Sequence, residues 1–194
     1  MRIIRAADCR RMPWKNGGGV TVEIACFPEG AGLGDFGWRV SSAVVAGAGP
    51  FSLFPGVERT LCVLAGAGLV LDFADGAEVR LDGASAPYAF PADVQVAGAP
   101  LGGPVTDLNI MTRRGRFAHK VRRWEGTGAA RLEAGEGAFA LAFVAAGTAD
   151  VRLEGAGDGI PLGAGDAALV SDAAAMLVPS GEACRLHVVE IVPA

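Results

Sequence analysis

Val63-Leu64-Ala65-Gly66 and Val144-Ala145-Ala146-Gly147 are one short pattern, a hydrophobic run closed by glycine, written twice at a distance of 81 residues. The same ungapped shift sets Val70 over Val151, Leu81 over Leu162, and Leu108-Asn109-Ile110 over Val189-Glu190-Ile191. What repeats is a hydrophobic strand, a glycine turn, an amphipathic strand, a loop and a closing hydrophobic strand. A fixed period of this kind marks two similar β units. Residues 1–50 supply extra strands ahead of the first copy.

Outside the repeat the same local grammar holds. Val20-Thr21-Val22-Glu23-Ile24, Trp38-Arg39-Val40-Ser41-Ser42-Ala43-Val44, Glu78-Val79-Arg80-Leu81 and Asp150-Val151-Arg152-Leu153 alternate apolar and polar residues, and Gly and Pro separate them. Short alternating segments between turn residues predict an all-β sandwich or barrel. Alanine argues for helix by propensity, but the interspersed glycine cancels it. The best helix candidate is short, around Ala173–Leu177. The predicted organisation is a first β unit over residues 1–114, a basic linker over 115–127, and a second β unit over 128–194. Arg116, Lys120, Arg122 and Arg123 give that linker its charge, with Arg113 and Arg114 just ahead of it. It reads either as an anion patch or as a solvated connector whose arginines pair with acids on both units.

Composition narrows the function classes. The 194 residues include 29 glycines and 36 alanines, so a hydrophobic fraction of 51% overstates how apolar the chain is. No run approaches the ~18 apolar residues of a spanning helix. A charged fraction of 20% with Val, Leu, Ile and Phe spread throughout excludes disorder. Seventeen basic against 21 acidic residues give a net charge of −4, which does not suggest a nucleic-acid binder. Cys9, Cys26, Cys62 and Cys184 form no CxxC and read as reduced thiols. The first 19 residues carry arginines and build no apolar signal core. The cytoplasm is the expected compartment, with no membrane partner.

Several stretches together resemble the HutD/Ves family of bicupins along nearly the whole chain. They are Met12-Pro13-Trp14-Lys15-Asn16-Gly17-Gly18-Gly19 with Thr21 and Glu23; Trp38-Arg39-Val40-Ser41; Gly49-Pro50-Phe51-Ser52-Leu53-Phe54-Pro55-Gly56 with Arg59; and Asp107-Leu108-Asn109-Ile110-Met111 followed by Arg113. The resemblance implies two cupin-type (double-stranded β-helix or jelly-roll) barrels packed together, in a protein associated with bacterial histidine utilisation. The role it implies is binding a pathway metabolite and limiting flux. A fold-family likeness does not by itself carry an activity.

Many cupins hold a divalent metal on clustered histidines and a glutamate, which must converge as neutral imidazoles and carboxylate. This chain has two histidines, His119 and His187, far apart in sequence. Where the first motif would carry its histidine pair, it reads Phe51-Ser52-Leu53-Phe54-Pro55. No metal and no other cofactor is expected.

Strand alternation places Thr21 with Glu23, Arg39 with Ser41, and Val105, Asp107, Asn109 and Met111 on common faces. If these faces converge inside the first barrel, with Arg59 entering from the turn before Leu61, they form an anion site. Arg39 or Arg59 would grip a carboxylate through parallel N–H bonds, and Asn109 offers both a donor and an acceptor. Phe51, Phe54 and Met111 would wall the pocket. The glycine-rich turn would bring Lys15 and Asn16 to it. The alternative is a structural Arg39–Glu23 salt bridge with no ligand. The second unit reads as scaffold, because the shift replaces Arg59 by Ala140 and Asn109 by Glu190.

Two functional readings follow. One is a regulatory protein binding a small anionic metabolite of histidine breakdown, such as urocanate or a formyl- or formimino-glutamate. The other is a metal-independent enzyme on such a metabolite, with Glu23 as general acid or base. A homodimer is compatible with either.

Overall fold

A computed structural model of the chain describes residues 1–14, 19–155, 157–180 and 184–194. In chain order its strands are β1 (Arg2–Ile4), β2 (Arg10–Pro13), β3 (Gly19–Phe27), β4 (Trp38–Val45), β5 (Gly49–Pro50), β6 (Val57–Ala65), β7 (Leu69–Phe73), β8 (Glu78–Leu81) and β9 (Tyr88–Pro91). They continue as β10 (Val96–Pro100), β11 (Val105–Arg113), β12 (Phe117–Gly126), β13 (Ala130–Ala146), β14 (Ala149–Leu153), β15 (Ile160–Leu162), β16 (Ala167–Pro179) and β17 (Cys184–Pro193). One 3-10 turn, Ala6–Asp8, follows β1. No helix among the described residues is long and apolar enough to cross a membrane.

Arg10–Phe117 form one compact unit. Its two antiparallel sheets run β2-β3-β4-β11-β6-β9 and β5-β10-β7-β8. Val45, Leu61, Val63, Phe90 and Val105 of the larger sheet share a buried cluster with Leu69, Leu71, Leu81 and Val96 of the smaller one. Alternation explains why: every second residue of each strand faces its partner sheet.

Met1–Cys9 and Ala118–Ala194 form the other unit. Here a single sheet runs β12-β17-β13-β16-β14-β15, and β1 pairs with β16. Its core is built from small residues, including Ala130, Ala140, Ala142, Ala168 and Ala175 beside Leu132, Val151, Leu177, Leu186 and Val188. The long strands β13 and β16 bend together. Ala130–Ala134 pair with Leu177–Ala173, then the register shifts before Phe139–Phe143 pair with Ser171–Ala167. The corner is made by Gly137 at φ 69° and Asp172 at φ 49°. The Gly137 N–H donates to Asp172 Oδ1 at 3.2 Å.

The 81-residue repeat is therefore a repeat of topology. β13 spans the counterparts of both β5 and β6, and β16 those of β9 and β10. The bend at Asp172 stands where the first copy breaks between Pro91 and Val96. Each unit is a cupin-type barrel, as the alternation and the resemblance predict.

Three boundary expectations are corrected. The segment expected as a linker, 115–127, is mostly strand β12, bonded to β17 at the edge of the second sheet. Under the same shift it is the counterpart of β4. Residues 1–9 do not belong to the first barrel, because β1 pairs with Ala167–Leu169 of β16. Arg5 reinforces that pairing through Asp166 Oδ2 at 2.8 Å. The helix candidate Ala173–Leu177 lies inside strand β16, where cross-strand pairing overrides alanine's helical propensity.

Arginines of β12 and of the segment just ahead of it are engaged by acids and carbonyls. Arg114 pairs with Glu58 and Asp93, Arg122 with Glu190, and Arg123 with Glu125. Arg113 donates to the carbonyls of Phe36 and Gly34.

Candidate functional site

The larger sheet of the Arg10–Phe117 unit aligns side chains of one face in rows across neighbouring strands. Directly paired residues sit with Cβ atoms ~5 Å apart on the same face. One row runs Cys26–Arg39–Met111–Arg59–Phe90. The next runs Glu23–Ser41–Asn109–Leu61. Deeper lie Thr21–Ala43–Asp107–Val63. A bulge between Glu23 and Ala25 lets both Glu23 and Cys26 share the face of Arg39.

Two guanidinium groups thus flank Met111. Arg39 is 4% exposed; its Nε–H donates to Glu23 Oε2 at 2.8 Å and Nη1 donates to Ser41 Oγ at 3.1 Å. Arg59 is equally buried but has no ion pair within 4.0 Å among the described residues. Its Nη2 donates to the Ser52 carbonyl at 3.2 Å and lies 3.7 Å from Met111 Sδ. The rings of Phe51, Phe54 and Phe90 surround its Cζ at 5.3, 5.4 and 5.8 Å. Its Nε is buried with no hydrogen-bond partner among the described residues. Burial pulls Arg59 down to about 10, with Arg39 adding to the effect and Asp107 opposing it. Such a group gains strongly from a desolvated counter-anion.

Arg59 enters this face from within β6, not from the turn expected before Leu61. The segment ahead of β6 supplies two of the rings instead. It is pinned where the N–H of Phe51 donates to the Val96 carbonyl and that of Phe54 to the Ala92 carbonyl, each at 2.9 Å.

Beneath the arginines, Asn109 Nδ2 donates to Asp107 Oδ1 at 2.6 Å. Asp107 is wholly buried, and its Oδ2 has no partner among the described residues. Burial raises Asp107 to about 7, against the opposing pull of Arg59, the Ala43 backbone N–H and Asn109.

The face brings Glu23, Arg39, Ser41, Arg59, Asn109 and Met111 together, with Phe51 and Phe54 alongside. The Arg39–Glu23 pair expected as the alternative to a ligand pocket is present beside the second, unpaired arginine. Thr21 is occupied otherwise: its Oγ1 accepts from Trp14 Nε1 at 2.8 Å. Lys15 and Asn16 lie outside the described residues. Sequence reasoning places Asp107 on the converging face without giving it a role, and it misses Phe90. Alternation had already set Asp107 on the face of Asn109, whereas the pairing of Phe90 with Arg59 carries no local signal. A surface depression of about 400 Å³ borders Phe51, Leu53, Phe73 and Gln95, but none of the Arg39 row lines it.

The residues of this face do not fit a divalent metal, because two buried guanidiniums repel a cation. Both histidines sit in the other unit, His119 on β12 and His187 on β17. No group of three or more His, Cys, Asp or Glu side chains among the described residues is arranged to hold a metal ion.

The HutD family profile matches residues 6–187. The chain belongs to the HutD family. Protein Ves of Citrobacter koseri is 44% identical over 128 residues, covering 59% of this chain and only 61% of that protein. A Pseudomonas putida protein of 21.2 kDa, known by its place in the hutC 3′ region, is 37% identical over 80% of this chain and 79% of its own length. The structure of HutD from Pseudomonas fluorescens SBW25, in a formate condition, matches at 31% identity with a TM-score of 0.80, covering 100% of this chain and 98% of that one. A cupin barrel protein from Leptotrichia buccalis, 10% identical at a TM-score of 0.60, shares the fold alone.

Among the described residues, the second barrel of this HutD-family chain carries no comparable face. The counterpart of Arg59 is Ala140, buried in the core, and that of Asn109 is Glu190, paired with Arg122. The histidine of its closing strand, His187, is 2% exposed with neither ring nitrogen partnered among the described residues.

Proposed function

We propose that this chain binds a small carboxylate on the Arg39–Arg59 face of its first barrel and acts as a regulatory protein of histidine utilisation. The observation that carries the reading is Arg59: buried, ringed by three aromatic side chains, unpaired with any acid among the described residues, and holding a buried N–H without an acceptor. A carboxylate supplies both the missing charge and the missing acceptor. Asn109 adds a polar contact at the same face, and Phe51, Phe54 and Met111 exclude water. Family membership and the relative in the hutC 3′ region favour a ligand from histidine breakdown, with urocanate, N-formylglutamate and N-formiminoglutamate as the candidates.

The test is a thermal-shift panel of those three compounds with histidine and formate, each with and without divalent metal. A ligand at a hundred times its Kd adds about 2.7 kcal/mol, which raises Tm by roughly 5–10 °C at this chain length. Arg59→Ala and Arg39→Ala are expected to lose the shift, and Arg152→Ala in the other unit to keep it. A shift from metal alone, with none from any carboxylate, overturns the proposal.

A further inference from the structure

We propose that Asp107 is the proton-linked positioning residue of this face: it orients the Asn109 amide and takes up a proton when an anion settles against Arg59. The inference rests on the carboxylate-binding reading above and adds to it a residue and a coupling.

The geometry gives Asp107 two distinct oxygens. Oδ1 accepts the Asn109 Nδ2–H at 2.6 Å, so Asp107 fixes which way the Asn109 amide is turned. Oδ2 is buried and unpartnered among the described residues, so a proton there displaces no hydrogen bond to it, although the Ala43 backbone N–H acts on the carboxylate in favour of its ionised form. A proton there leaves the contact to Asn109 intact. An isolated carboxylate at such depth is costly unless a cation compensates it.

The charged and titratable groups on the same face of the sheet as Asp107 are Arg59 on β6, Arg39 on β4 and, one strand further, Glu23 on β3. Glu23 is committed to Arg39 at 2.8 Å. Arg59 is then the cation that acts on Asp107 through space. Cys62 also feels Asp107, but it lies on the opposite face of β6 and burial holds its thiol near 12, outside the working range. A ligand carboxylate on Arg59 competes with Asp107 for the same positive charge in a dry site. Like charges sharing one counter-ion do not both stay ionised, so Asp107 takes a proton from water onto Oδ2 as the anion binds. No bond to the ligand forms or breaks.

Calorimetric titrations with formate and with N-formylglutamate, both fully ionised from about pH 5.5 to 8.5, test this in buffers of different ionisation enthalpy. The wild-type protein is expected to take up close to one proton per carboxylate near the alkaline end and almost none near the acid end. Its Kd should be flat below about pH 6 and should weaken up to about tenfold per pH unit above about 7. Asp107→Asn keeps a neutral group of the same shape and an acceptor for Asn109. It is expected to bind with no proton uptake and with one Kd across the range. Should that variant fail to fold, the wild-type uptake still decides. Binding without uptake at alkaline pH, or an unchanged pH slope in Asp107→Asn, overturns the role of Asp107 and leaves the carboxylate site standing. Failure of both anions to bind at every pH removes the carboxylate site and this inference with it.

Discussion

Asn109 donates to a fully buried Asp107 at 2.6 Å while the second Asp107 oxygen has no partner among the described residues. This pair sits where the apolar barrel core, continued by Val63, Val45 and Val105, gives way to the polar rows. A carboxyl group at that boundary is harder to ionise than one in water, and the stability of the fold itself should report it.

Asp107 is raised to about 7, mainly by burial, above the ordinary carboxylate value it has in the unfolded chain. A group raised on folding contributes stability that is full below its unfolded pKa and is lost as pH rises through its folded pKa. The window here is about pH 4 to 7. Relative to Asp107→Asn, the wild type should lose stability across that window by roughly 1.4 kcal/mol per pH unit at the steepest point. Urea melts of both proteins at several pH values measure the difference. A difference independent of pH sinks the argument.

His187 predicts the opposite slope. Burial, with Arg185 and Arg123 nearby, lowers it to about 4. A base depressed on folding contributes stability that is present above its unfolded pKa and is lost as pH falls through the window from about 6.5 to 4. His187→Leu removes the two buried ring nitrogens that lack partners among the described residues. The variant should gain on wild type as the medium is acidified, by roughly 1–3 kcal/mol at about pH 5. Equal acid sensitivity of the two proteins counts against it.

The architecture was legible because both its signals are periodic. The two-residue alternation and the 81-residue shift each survive a chain rich in Ala and Gly. What escaped depends on distance or on competing signals. Arg2 pairs with Leu169 across almost the whole chain, and a three-residue strand carries no pattern of its own. β12 does alternate, with half-buried Phe117, His119 and Val121 between exposed Ala118, Lys120 and Arg122, but its density of charge imitates a solvated linker. At the site, alternation gathers Arg39, Ser41, Asp107 and Asn109 onto common faces. It does not show that Glu23 engages Arg39 and leaves Arg59 unpaired. That division follows from the strand order β3-β4-β11-β6, which sets Glu23 beside Arg39 and away from Arg59, a tertiary feature.

The Arg39–Glu23 pair makes its own prediction. The Arg39 side chain is 5% exposed and the Glu23 side chain 20%. Glu23→Ala strands a buried guanidinium, which costs roughly 2–4 kcal/mol after allowance for the residual solvent contact. Glu23→Gln keeps an acceptor at the same reach and should cost about half as much. Denaturant unfolding of the two variants checks the order. Equal stability of Glu23→Ala and wild type would mean that Ser41 and water hold Arg39 without its acid.

Gly98 tests whether the aromatic wall matters to Arg59. A Cβ added at Gly98 would lie 2.5 Å from the Phe51 ring, which stands 5.3 Å from the Arg59 guanidinium carbon. The backbone of Gly98 is held by pairing with both Gly49 and Leu71, so the ring must yield. Gly98→Ala should therefore cost about 1–3 kcal/mol through overpacking and displace Phe51 from Arg59. Truncating the ring removes the clash, so adding Gly98→Ala to Phe51→Ala should cost much less than adding it to wild type, a coupling of about 1 kcal/mol or more. Strict additivity of the two changes would show that Phe51 does not rest on Gly98, and the wall around Arg59 would need another support.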